Sequence, residues 1–216
     1  RRQRQMCIRD RLCASGALSL ADTAKLLKIR GSAMQEAVPV GVGAMAAILG
    51  LDFADVKAIA DESGCEPAND NANGQVVVSG SKETVQKACE LAKEKGAKRA
   101  VELPVSAPFH CKLMQPAANK MQQALAETQI NTPKVPVIAN VIAEQTADPD
   151  QIRNLLVDQV CGMVRWRESV SYLKNQGIDN LVEIGAGKVL TGLTKRIEPE
   201  MESICVQSPQ DIEEDV

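Results

Sequence analysis

The sequence predicts an α/β protein. Residues 39–105 order as strand, helix, strand, strand, helix, strand, and residues 106–208 alternate strands with helices. Of the 216 residues 44% are apolar but only 2% aromatic (Phe53, Phe109, Trp166 and Tyr172), so Ala, Val, Leu, Ile and Met must build the core. A chain of this length can bury roughly 70% of its unfolded surface.

The first eleven residues, RRQRQMCIRDR, stand apart. They carry five arginines and one aspartate with no helical or strand period, and they look like translated sequencing-adapter sequence. They are read as a non-native leader, 1–11. The remainder holds 20 Lys+Arg against 27 Asp+Glu, a net charge of −7. From Leu12 the text becomes regular. Ser19 is a suitable N-cap for a helix over ADTAKLLKIRGSAMQEA, with Asp22 in its first turn and Leu20, Ala24, Leu27 and Ala33 or Met34 at near-helical spacing. Arg30 lies in this helix, where an arginine is ordinarily solvated.

Within 39–105, Ala44–Leu49 is a short apolar strand and Phe53–Ser63 a helix with Val56, Ile59 and Ala60 inward. Cys65–Asn69 is a weak strand, followed by an Asn-rich turn (Asn69, Asn71, Asn73, Gly74). Gln75–Ser79 is β-branched, Lys82–Lys95 amphipathic, and Lys98–Val105 closes the unit. This order is that of the ferredoxin-like split βαβ unit. A segment 113–128 is amphipathic, Lys134–Val141 reads as a buried strand entered through Pro133 and Pro136, and helices are expected over Asp150–Val160 and Val164–Asn175. Asn180–Ile184 is a strand that GAGK turns into a helix, Lys188–Ile197. Strand–helix alternation here implies an open, mainly parallel sheet. An acidic tail, 209–216, is expected to fray.

Several classes of function are disfavoured. No apolar run approaches the ~20 residues of a membrane span, and the N-terminus lacks the apolar stretch of a secretory signal. Seven cysteines without CxxC or Cys/His ligand spacing fit a reduced, cytosolic protein with neither a disulfide framework nor a zinc site. Near-balanced charge and few aromatics give no support to nucleic-acid binding.

Chemistry concentrates in LPVSAPFHCKLM, residues 103–114. His110 is the only histidine, and an imidazole that titrates near neutrality is the default proton shuttle. A loop histidine satisfied by a backbone carbonyl is the plainer reading of the local signal. Cys111 is a poor partner for it, because adjacent side chains diverge. Gly185-Ala186-Gly187-Lys188 stands where a phosphate loop would, but lacks the GxxxxGK[ST] and GxGxxG spacings and reads as a tight turn. Asn140, at a strand end, and Gln159, in a helix, are ordinary polar residues that can support a cleft.

LCASGALSLADTAKLLKIRGSAMQEAVP, GAMAAILGL, GQVVVSG, LPVSAPFHCKLMQPAA, VPVIANV and VEIGAGKVLTGLTKRI, in that order, resemble the malonyl-CoA:acyl-carrier-protein transacylase family from about Leu12 to Ser208. The resemblance implies a partial α/β-hydrolase-like (acyltransferase) core, 12–38 and 106–208, with a ferredoxin-like subdomain, 39–105, inserted. It also implies ping-pong transfer of malonyl from coenzyme A to the phosphopantetheine thiol of acyl carrier protein, in the cytoplasm, with no cofactor or metal. By motif, His110 looks like the base and Arg30 like the arginine that grips malonate's free carboxylate, a task suited to its planar fork. Gln159 matches the position that helps hold the histidine, Asn140 lies in the matching cleft strand, and the bulk of Phe109 resembles the malonyl-selective pattern.

The departure from the family is at the nucleophile. Where the family has GHSxG, shortly before the match to LCASGALS, this chain has MCIRDR. The expectation is an N-terminally truncated product that is itself inactive. Two other classes remain: a non-catalytic module binding acyl-thioester or carrier protein, and a hydrolase using Cys111.

Overall fold

The computed structural model describes residues 8–215. Residues 1–7 of the expected leader lie outside the described residues. Its last four open helix α1, Ile8–Ala14, in which Ile8, Arg9 and Leu12 are buried, so this part is helical despite its missing apolar period. Helix α2, Leu20–Glu36, begins at Ser19, whose hydroxyl accepts the Asp22 amide hydrogen at 3.0 Å. Its buried stripe is Thr23, Leu26, Arg30, Ala33 and Met34, whereas Leu20 is 75% exposed and Ala24 is exposed. The expected stripe thus holds at Ala33 and Met34 but fails at Leu20 and Ala24. Two polar residues, Thr23 and Arg30, stand on the inward face, and a reading that follows apolar residues alone slips past them.

The inserted unit follows the expected order: β1 (Gly43–Leu49), α3 (Phe53–Ser63), β2 (Glu66–Ala72), β3 (Gln75–Ser81), α4 (Lys82–Glu94) and β4 (Arg99–Glu102). Its strands pair antiparallel in the order β4-β1-β3-β2. Asp52 and Ser81 cap α3 and α4 by accepting the amide hydrogens of Asp55 and Thr84. The helices bring Val56, Ile59, Val85 and Ala88 onto Ile48 and Val78. Asn69 and Asn71 belong to β2 rather than to a turn, which is confined to Asn73-Gly74, and the last strand ends at Glu102 instead of Val105.

The remaining elements are a 3-10 turn (Lys112–Met114), α5 (Gln115–Ala126), β5 (Val137–Ala139), β6 (Glu144–Thr146), α6 (Pro149–Cys161), β7 (Val164–Arg165), α7 (Trp166–Asn175), β8 (Asn180–Ile184), α8 (Val189–Ile197), β9 (Glu202–Val206) and α9 (Pro209–Asp215). Leu26 and Met34 of α2 share a core with Met121 and Leu125 of α5 and Leu156 of α6. Strands here do not gather into one parallel sheet among the described residues. β5 pairs antiparallel with β6, β8 pairs parallel with β9, and β7 leaves to become a fifth strand beside β2. Each is short, and Pro136, with no amide hydrogen to donate, stands directly before β5. The open side of β8 presents Val182 and Ile184, 47% and 82% exposed. Strand β9 went unread, and the tail expected to fray is helical. Among the described residues no helix is long and apolar enough to cross a membrane.

The inserted sheet is tied to the rest through β2 and β7, which run parallel with Asn69 opposite Val164 and Asp70 opposite Arg165. Asp70 is fully buried, and Nε and Nη2 of Arg167 on α7 stand 2.9 and 2.8 Å from its Oδ2. Burial nevertheless holds the Asp70 carboxyl pKa above its ordinary value, outweighing Arg167. Removing the cation strands a buried anion, whereas the Arg167 side chain, 29% exposed, can turn to water if the anion is removed. Arg167→Met is expected to cost about 3–5 kcal/mol at neutral pH, and Asp70→Asn less. With its carboxyl pKa raised in the folded state, acidification through that value towards 3.8 favours the folded chain. The Arg167→Met deficit should therefore shrink in acid, as urea melts at several pH values will show.

Candidate active site

Between β4 and α5 the chain folds over the edge where the inserted unit meets the core. Pro108 packs on Gly43, the first residue of β1, so closely that a Cβ there would lie 2.2 Å from Pro108 Cγ. Gln35 of α2 donates to the Ser106 hydroxyl at 2.7 Å, and the Lys112 amide donates to Glu66 of β2 at 3.3 Å. Phe109 is half-buried and packs on two cores at once, that of α2, α5 and α6 and a smaller one around Met45, Ala68 and Val77. The loop is thus pinned from both bodies. At its crest His110 adopts φ 60°, a left-handed conformation uncommon outside glycine. Residues held in such a conformation cluster at functional sites.

The His110 ring sits against the end of α6. Its Nδ1 lies 3.1 Å from the Gln159 carbonyl oxygen and 3.0 Å from that of Gly162. Carbonyl oxygens only accept, so Nδ1 carries the proton and Nε2 keeps its lone pair. Burial first, and the nearby Arg30 charge after it, lower the His110 pKa from 6.5 to about 4, against the two carbonyls, which raise it. At neutral pH the ring is a free base of fixed tautomer. Arg30, buried on the inward face of α2, supplies a cation within electrostatic reach of it. A free base beside a fixed, desolvated guanidinium can take a proton from a nucleophile while an anionic group is held next to it.

Of the five residues singled out in the sequence, His110, Arg30 and Gln159 come together here, and Phe109 forms the underside of the loop. Gln159 contributes its backbone carbonyl, while its side-chain Nε2 reaches the Gly162 oxygen at 3.4 Å and its Oε1 is buried without a hydrogen-bond partner. Asn140 stands one layer back. Its side chain accepts from Arg11 at 3.1 Å and its carbonyl accepts the Arg165 amide hydrogen at 3.0 Å. Sequence reasoning missed Gly162, taken only as a break between helices. A Cβ there would lie 2.6 Å from Val141 Cγ1 and 2.8 Å from the Asp158 carbonyl oxygen, so a glycine alone fits. Cys111 is buried, donates to the Pro108 carbonyl at 3.2 Å, and has its thiol pKa raised by burial. That is the setting of an inert thiol rather than of a nucleophile. Two surface cavities, about 460 Å³ beside α4 and β4 and about 340 Å³ between α5 and α6, are lined by none of these residues.

The fold is that of an acyl transferase domain, and comparison with known proteins agrees. Residues 11–205 match the acyl transferase domain family, to which the chain belongs. Among curated relatives, the malonyl CoA-acyl carrier protein transacylase of Escherichia coli K12 is 46% identical over 202 residues, covering 92% of this chain and 65% of the relative. The crystal structure of acyl-carrier-protein-S-malonyltransferase from Bartonella henselae superposes with a TM-score of 0.93 at 51% identity, over 96% of this chain and 67% of that one. A malonyl-transacylase in complex with its type II PKS acyl-carrier protein matches at 40% identity with a TM-score of 0.92, over 95% of this chain and 68% of that one. The chain thus spans about 65% of the length of the curated relatives that resemble it.

Because His110 is the only histidine, its ring protons give one titration curve. Nuclear magnetic resonance should find it neutral at pH 7 with a midpoint near 4. The unfolded chain binds that proton first, from the ordinary 6.5 downward, so this residue's share of stability is complete above about 6.5 and lost as pH falls towards 4. Arg30→Met, which removes the neighbouring cation, should move the midpoint upward. An unchanged midpoint would detach Arg30 from the site.

Proposed function

We propose that this chain is the larger part of a malonyl-CoA:acyl-carrier-protein transacylase of the cytoplasm, transferring malonyl from coenzyme A to the phosphopantetheine thiol of acyl carrier protein for fatty-acid synthesis. The observation that carries this reading is the pairing of His110, a free base with Nε2 unprotonated, with the buried Arg30. In the reaction a serine oxygen attacks the malonyl thioester carbonyl as His110 Nε2 takes the serine proton. The tetrahedral intermediate collapses, and the same proton passes to the departing coenzyme A thiolate. The carrier thiol then reverses these steps and receives the acyl group. Arg30 holds the malonyl carboxylate, Phe109 fills the space beside it, and Gln159 and Asn140 support the cleft. No cofactor or metal enters this chemistry.

The serine belongs to GHSxG, and the corresponding place here holds MCIRDR. As written, the chain should form no hydroxylamine-sensitive malonyl adduct. Joining residues 12–216 to the matching N-terminal segment of a 46%-identical relative should give transfer. His110→Ala in that joined protein should then lose 10²–10⁴-fold in turnover, the usual contribution of a positioned base. Arg30→Ala should cut kcat/KM for malonyl thioester while sparing or improving that for acetyl, which has no second carboxylate. Equal losses for both would overturn the carboxylate role, and an adduct on the unjoined chain would overturn the assignment of the nucleophile. Binding of a non-transferable malonyl thioester with no transfer after joining would favour a non-catalytic binding module.

A further inference from the structure

We propose that Arg165 is a positioning residue that fixes the tautomer of His110 from behind, through the turn 140–142 and Gly162. This rests on the reading of His110 as the base. The Arg165 backbone amide donates to the Asn140 carbonyl at 3.0 Å, and its Nη1 donates to the carbonyls of Ile142 at 3.1 Å and Val141 at 3.4 Å. One residue thereby grips three successive carbonyls. Its guanidinium is itself held by both carboxylate oxygens of Glu168, Nε at 2.9 Å from Oε1 and Nη2 in close contact with Oε2. The gripped segment needs holding. It leaves β5 through Ala143 at φ 57°, a conformation costly for a residue with a side chain, closed by the Ala143 amide on the Ala139 carbonyl at 2.8 Å.

The turn matters because Val141 packs where a side chain on Gly162 would be. Gly162 is thus clamped between Val141 and the Asp158 carbonyl, to which its amide donates at 2.7 Å. Its own carbonyl is one of the two acceptors on His110 Nδ1. A histidine side chain in water prefers the proton on Nε2, so the Nδ1–H form persists only while those acceptors stay in place. If the turn relaxes, Val141 withdraws, Gly162 shifts, and the ring can revert to the form that cannot act as base at Nε2.

The test needs no turnover, so its failure is separate from any failure of the acyl-transfer reading. In the ¹⁵N-labelled chain at pH 7, two-bond proton–nitrogen correlations from the single imidazole report the tautomer. The expected wild-type result is widely split nitrogens, Nδ1 protonated and Nε2 bare. Arg165→Met, folded by its amide spectrum, should narrow that split as Nε2–H becomes populated, and Arg165→Lys, which keeps one donor, should restore part of it. A folded Arg165→Met with the full split overturns the proposal. If Arg165→Met does not fold, Glu168→Gln, which loosens the guanidinium, decides in the same way: a narrowed split supports the proposal and a full one overturns it. Gly64→Ala, strained at the φ 84° cap of α3 within the inserted unit, is the control for general destabilisation. It should leave the split intact, and a narrowed split there would overturn the proposal too.

Discussion

The site depends on one proton, the Nδ1–H of His110 lodged between two carbonyls at the end of α6. A helix leaves its last carbonyls without partners inside the helix. In α6 the Asp158 carbonyl is taken by the Gly162 amide, and the Gln159 carbonyl is taken by the histidine. The imidazole therefore completes a helix end while being oriented by it. A helix C-terminus and two carbonyls should favour the charged ring. Burial and the Arg30 charge oppose them and prevail, since the pKa falls to about 4. Orientation and charge state are thus set by different groups. The carbonyls choose which nitrogen is protonated, and burial with Arg30 keeps the ring from taking a second proton.

Holding that arrangement requires two bodies to stay in register. The loop bearing His110 rests on Gly43 and Glu66 of the inserted sheet at one end and on α2, through Gln35 and Ser106, at the other. The carbonyls it meets belong to α6 and its exit, which continues directly into β7 and so into the same sheet beside β2. The inserted unit is consequently more than a wall. It is joined to both the histidine loop and the segment carrying the histidine's acceptors, with the Asp70–Arg167 pair binding β2 to α7. A shift of the sheet would carry both partners together, which preserves their separation better than anchoring them to different bodies.

Much of this was legible in the sequence where apolar period and local chemistry agree. The βαββαβ order, the cap Ser19, and the helix Phe53–Ser63 with Val56, Ile59 and Ala60 inward needed only side-chain spacing and local chemistry. His110 was conspicuous by being alone. The failures share a physical cause. Arg30 and Thr23 occupy buried positions on α2, so an apolar template strayed onto Leu20 and Ala24 in its first turns. Val164–Arg165 has too few residues to show a strand period, and a helix reading absorbed it. Gly162 acts through its carbonyl and through the side chain it lacks, neither of which leaves a mark on the residue pattern. The pairing of β8 with β9 across α8 is a long-range contact that local sequence does not encode, while β5 and β6 form a hairpin of strands too brief to show a period.

The position of Arg30 resolves a tension in the acyl-transfer reading. A base with a pKa of about 4 is always free at neutral pH, yet is a weak acceptor for a serine proton. Part of that weakness comes from the Arg30 guanidinium, because protonating the ring would place a second cation beside the first. On that reading a carboxylate bound at Arg30 would offset part of that repulsion and add a negative charge to the neighbourhood, making the ring more basic with the substrate in place. The same contact that selects a dicarboxylic acyl group would then strengthen the base only once such a group has arrived. An acetyl group, lacking the second carboxylate, would bind without that gain. Selectivity on this account has two sources, grip and basicity, both located in one arginine on the buried stripe of α2.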